Sequence, residues 1–225
     1  MIKVELGGKE YDIPHKWEEV TFNQFISFYK LTQSFKSREE LEEEFKDKGD
    51  TKELYMSLDT LKSNTRMVSF WTVISEDEVA MCDLDEVAQV LKDLTFLNEK
   101  YSPIHIDSFT FKGEKYLLPN ENMNKSTFGE YVNAEQLEVN NKELEAGRLE
   151  VMPEQVAILC KKEGEKFVKD DDVDKRAEMF KELDMATIWD VAFFLTKRES
   201  LLITSFLISQ KELLTHKQKS LQQEQ

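Results

Sequence analysis

Three alternating aspartates, Asp170, Asp172 and Asp174, are the nearest approach to a ligand motif in this sequence. That spacing opens a calcium loop, in which the first, third and fifth positions offer oxygen ligands to a hard cation. The remainder of the loop is missing. Its sixth position, where the sharp turn needs glycine, is Lys175, and its twelfth, where a bidentate glutamate belongs, is Lys181. An acidic loop running into a helix N-terminus accounts for these residues without a metal. His15, His105 and His216 are the histidines, far apart and without local carboxylate or cysteine patterns at ligand spacing. A zinc or general-base site would therefore have to be assembled by the fold. Cys82 and Cys160 are also distant from each other, each beside apolar neighbours, and read as buried free thiols in a reducing compartment. The chain has no phosphate-binding glycine loop, no G-x-S-x-G and no H-E-x-x-H. The expectation is a non-enzyme with no catalytic, cofactor-binding or metal-binding residues.

The elements that would position any site are organised around a unit present twice. Val4-Glu5-Leu6-Gly7-Gly8-Lys9-Glu10-Tyr11-Asp12-Ile13-Pro14 aligns without a gap on Phe109-Thr110-Phe111-Lys112-Gly113-Glu114-Lys115-Tyr116-Leu117-Leu118-Pro119. Alternating apolar residues, a glycine-bearing turn and a closing proline predict a β-hairpin in each. Each hairpin leads to a helix start of one form, Thr21-Phe22-Asn23-Gln24-Phe25 and Thr127-Phe128-Gly129-Glu130-Tyr131. Thr21 and either Ser126 or Thr127 are the predicted N-caps.

Composition narrows the class. A hydrophobic fraction of 40% with fifteen phenylalanines excludes a wholly disordered chain, and no apolar run is long enough for a membrane span. The start of the chain moves directly into strand pattern, so no secretory signal is expected. A formal charge of −15 repels phosphate backbones and anionic lipid, which argues against nucleic acid or membrane as direct partners.

In order along the chain, the aromatic-rich face of Phe22, Phe25, Phe28 and Tyr29 predicts a core helix under the first hairpin. An acidic block from Ser37 to Asp50 follows, with Ser37 as a cap. A helix is expected from Thr51 to Ile74, carrying Leu54, Leu58, Leu61, Met67, Val68 and Trp71 in its apolar pattern and broken near Ser63-Asn64. Another is expected from Leu84 to Leu97, with Asp83 as its cap. Tyr101-Ser102-Pro103 marks a boundary between two units, residues 1–102 and 103–225. In the second, Pro153 is placed in the first turn of a helix. Ala177, Phe180 and Leu183 mark a short amphipathic one, and a long last helix runs from about Thr187 to His216. The predicted class is α+β and predominantly helical, with two hairpins each followed by a helical bundle.

The hairpin, Pro119, the polar connection, Thr127-Phe128-Gly129-Glu130-Tyr131, Ala157-Ile158-Leu159 and Arg176-Ala177-Glu178-Met179-Phe180 together resemble proteins of tailed-bacteriophage structural modules. Some of these are described as tail-assembly-chaperone-like, and Trp17-Glu18-Glu19-Val20-Thr21-Phe22 has the same character. The resemblance implies a non-enzymatic structural or assembly protein of the tail or head-to-tail region. It would dock on other phage structural proteins or on copies of itself, in the virion or in host cytoplasm during assembly. The size and the second hairpin depart from a simple chaperone. The alternative is a soluble acidic adaptor or inhibitor of a basic host or phage protein. Trp189, Phe193, Phe194, Leu202 and Phe206 are the candidate interaction residues, because a helix that is apolar nearly all round must be covered on more than one side, by the two halves or by another chain.

Overall fold

The computed structural model describes residues 1–119, 127–140, 144, 146–166 and 170–192. The chain is α+β and mostly helical, with two small antiparallel sheets, each built on one predicted hairpin. In the first, β1 (Ile2–Leu6) pairs with β2 (Lys9–Ile13), setting Leu6 opposite Lys9 and Val4 opposite Tyr11. In the second, β3 (Ser108–Phe111) pairs with β4 (Glu114–Leu117), setting Phe111 opposite Glu114 and Phe109 opposite Tyr116. These are the same pairings on aligned residues. Both turns hold two left-handed residues, Gly7 and Gly8 at φ +60° and +72°, Lys112 and Gly113 at +48° and +79°. That is the type I′ geometry whose twist matches the strands it joins.

Helix starts follow local capping chemistry. The Thr21 hydroxyl accepts from the Gln24 N–H while the Gln24 side chain accepts from the Thr21 N–H, opening α1 (Phe22–Thr32). The same reciprocal box opens α2 (Arg38–Glu44) through Ser37 and Glu40. After a 3-10 segment at Lys46–Thr51 come α3 (Lys52–Thr72), α4 (Glu76–Ala80), again boxed by Ser75 and Glu78, and α5 (Leu84–Asp93). Thr127 and Glu130 repeat the box at α6 (Phe128–Asn140). Next are α7 (Arg148–Leu159), a short β5 (Lys161–Lys162) on the outer edge of β4, and α8 (Asp170–Phe180). The last element, α9, begins at residue 185 and is described through 192.

Several expectations are corrected. α3 is unbroken at Ser63-Asn64. Each residue costs only about 0.5 kcal/mol of helix propensity, less than the burial of Met56, Val68 and Trp71 on the same helix supplies. The helix from Leu84 ends at Asp93, and Leu94–Asn98 tightens into 3-10 geometry. Asp83 has the extended backbone of a cap but makes no side-chain capping bond. Pro153 lies in the interior of α7 rather than its first turn. The helix gains its extra turn through Leu149 N–H to Ala146 O and Glu150 N–H to Gly147 O, with the Glu150 carboxylate accepting from the Ala146 N–H. α8 opens at Asp170, so the aspartates read as a loop belong to a helix.

Buried side chains of both sequence halves form one cluster, with Leu6, Ile13 and Phe22 from the first and Tyr116, Phe180 and Ile188 from the second.

Candidate docking site around the last helix

α9 is set in place by a small antiparallel junction with the start of α1. Thr21 bridges Asp184, the Phe22 N–H donates to Leu183 O at 2.8 Å, and the Met185 N–H donates to Val20 O at 2.9 Å. Both strands of this junction are helix caps. Thr21 caps α1, while Asp184 accepts from the Thr187 N–H at 2.9 Å and from its hydroxyl at 2.8 Å. Two helix N-termini thus satisfy orphan backbone groups with each other as well as with their own caps.

Beyond the junction, Met185, Ile188 and Val191 are fully buried, and no residue from 185 to 192 is exposed. Trp189 sits in a ring of edge-to-face aromatics, 6.2 Å from Trp17 and 5.5 Å from Phe25, with Trp17 also 5.4 Å from Phe96. Such geometry sets the positive edge of one ring on the negative face of the next. Its indole N–H is buried without a hydrogen-bond partner. Asp190 is buried and accepts from the Ile104 N–H at 2.8 Å. Burial, together with the charge of Asp190 and a hydrogen bond to it, pushes the Tyr101 phenol up to about 12. Of the predicted interaction residues, Trp189 therefore packs within its own chain, between the two sequence halves. Phe193, Phe194, Leu202 and Phe206 lie outside the described residues.

Comparison with protein-family models, curated proteins and solved structures finds no match to this chain.

The side chains with chemical potential are engaged in packing and ion pairs. Arg176, buried, grips Glu165 with two nitrogens at 2.8 and 3.0 Å, donates to Cys160 O at 3.2 Å and lies over the Tyr116 ring. Burial raises the Glu165 carboxyl, but the hydrogen bonds from Arg176 and the Lys162 N–H, with their charges, outweigh it and leave it below the usual range. Lys161, also buried, donates to Glu130 and to Lys166 O, each at 2.9 Å. Cys160 and Cys82 are free thiols; Cys160 is buried, and desolvation pushes it up to about 12, whereas Cys82 is half-buried rather than enclosed. His15 pairs with Glu19, and His105 lies 3.4 Å from Asp107. Among the described residues no group of three or more His, Cys, Asp or Glu could hold a metal.

One apolar pattern read in the sequence turns out to lie partly at the surface. Leu54, Leu58 and Leu61 are 61%, 46% and 54% exposed, a stripe at i, i+4, i+7 along the N-terminal half of α3, which continues toward the buried Val68 one heptad beyond Leu61. Their spacing is that of a core stripe, and only the three-dimensional arrangement shows that nothing among the described residues buries it.

Proposed function

We propose that this is a non-enzymatic bacteriophage protein that is built into, or helps to build, the tail or head-to-tail region by docking on other structural proteins or on its own copies. The observation that carries the docking part is the exposed leucine stripe of α3. Three leucines at helical spacing make an apolar strip of the kind that partner helices cover. The phage assignment is supported by the sequence resemblance and by nothing else. The acidic α2, with Glu39, Glu40, Glu42, Glu43 and Glu44, favours a second reading, an adaptor for a basic protein.

Quantitative mass spectrometry of gradient-purified particles, beside unfractionated lysate, separates these. Stoichiometric recovery with particles is the expected result for a virion component. Abundance in the lysate without recovery in particles would leave a transient assembly factor or the adaptor. In either case Leu58→Asp should weaken the association that is found; an unchanged association would remove α3 from the docking surface.

A further inference from the structure

The internal duplication offers a comparison that no single hairpin could. In an antiparallel pair, residues alternate between exchanging hydrogen bonds with the partner strand and pointing their backbone groups away from it. In the second hairpin Lys115 and Leu117 point outward from β4, and β5 takes up that edge. The Glu163 N–H donates to Lys115 O at 2.9 Å, and Leu117 pairs with Lys161. Charge pairs knit the two strands together, Lys115 to Glu163 at 3.1 Å and Glu114 to Lys162 at 3.6 Å.

The counterparts of Lys115 and Leu117 in the first hairpin are Glu10 and Asp12. With Leu6 opposite Lys9 across the two-residue turn, their N–H and C=O groups face away from β1. Both residues are exposed, the sheet has two strands, and among the described residues no backbone group bonds to them. The edge is also opposite in charge to its counterpart. Glu10 stands where Lys115 does, and its one ion pair is the exposed contact with Lys3. Beside the strand lies a cleft of about 410 Å³ between the hairpin and α4, lined by Tyr11, Ile74, Met81, Asp77, Glu78 and Lys9 among others. A residue paired with Tyr11 would point its side chain to the Tyr11 face of the sheet, into that cleft.

We propose that the outer edge of β2 accepts an added strand from another protein, of the pattern basic–apolar–basic. The two basic residues face Glu10 and Asp12, and the apolar residue between them pairs with Tyr11 and enters the cleft. Main-chain hydrogen bonds to Glu10 and Asp12 supply the generic part of the affinity, and the acidic edge selects the charge pattern. This deepens the docking reading by naming one surface and one kind of partner, and the two fail separately: recovery in particles says nothing about this edge, and the edge says nothing about particles.

The test is backbone-amide hydrogen exchange on the full chain, alone and with a capped peptide Thr-Lys-Val-Lys-Thr, using Thr-Glu-Val-Glu-Thr as control. The lysine peptide should slow exchange at Glu10 and Asp12 by about tenfold or more, and leave Lys9 and Tyr11, already bonded to β1, unchanged. Asp12→Pro, which removes an outward N–H without breaking the β1 ladder, should abolish the effect. Glu10→Lys with Asp12→Lys should transfer it to the glutamate peptide, and this charge reversal keeps the test decisive if the proline variant does not fold. No slowing with the lysine peptide, or equal slowing with both peptides, overturns the proposal. So does an edge already protected in the chain alone. Protection that survives dilution would then assign the edge to this chain's own C-terminal residues, and protection lost on dilution would assign it to a second copy.

Discussion

Tyr116 of the second hairpin is 1% exposed, stacked on Phe109 at 5.3 Å and capped edge-on by Phe180 at 4.9 Å. Its counterpart Tyr11 has the same place in the same register, yet it is half-buried and lines an open cleft. The turn type and strand pairing are common to both. What differs is the company: β5, α8 and the Arg176–Glu165 pair close over the second hairpin, while α3, α4 and α5 approach the first and, among the described residues, leave its β2 edge open. A hairpin of this length is marginal alone and takes its stability from what covers it. Duplicated local code has therefore produced one completed sheet and one incomplete one.

Four experiments would break or sharpen this contrast. The largest effect is expected from Arg176→Ala, which strands Glu165 and removes the donor to Cys160 O. The loss should be about 3–5 kcal/mol by denaturant unfolding, since it leaves the buried Cys160 carbonyl without its donor, the partly buried Glu165 carboxylate unmatched and a void over the Tyr116 ring. A loss near that of an exposed pair would mean that this ion pair does not seal the second sheet. Next, Tyr116→Ala should cost about 3–5 kcal/mol, and Tyr11→Ala less than half as much. Equal losses would abolish the distinction between closed and open hairpins.

The third experiment examines the seam between the halves. The Tyr101 phenol titrates at about 12 in the folded chain against 10.0 ordinarily. Between those values the unfolded chain loses a proton that the native state keeps. Stability from this group is thus complete below pH 10 and declines as pH rises through 12. Tyr101→Phe should flatten that part of the stability profile, and an unchanged slope would show that burial beside Asp190 does not raise the phenol. The smallest effect belongs to the turns. Lys112 holds a left-handed conformation that costs a side-chain-bearing residue about 1 kcal/mol, so Lys112→Gly should raise thermal stability slightly. Gly7→Ala should lower it, because the added Cβ would meet Cys82 Sγ at 3.2 Å as well as the backbone strain. If both changes were neutral, the two turns would be interchangeable.

Much of the architecture was written locally. The hairpins were legible because period-two alternation and a glycine turn act over a few neighbouring residues. The caps at Thr21 and Ser37 were legible for the same reason, and at α6 the structure decides for Thr127 between two adjacent hydroxyl residues. The interior position of Pro153 was not, because an upstream turn held by Ala146, Gly147 and Glu150 moved the helix start. β5 was invisible, since Lys161-Lys162 has no strand pattern and is extended only by pairing with β4. The candidate site was less legible than the fold. Trp189 was singled out as a residue that the two halves or another chain must cover, and its ring partners Trp17 and Phe25 lie at the other end of the chain.

The sequence by itself determined where the chain turns, caps and alternates, because those preferences are set by hydrogen bonds and sterics among near neighbours. The tertiary structure alone decided which faces are covered. Leu54, Leu58 and Leu61 carry a core pattern and lie in solvent, whereas Lys161 and Arg176 carry charge and lie inside. Burial depends on what arrives from distant sequence, and an ion pair with matched hydrogen bonds can enter a core that an unopposed leucine never reaches.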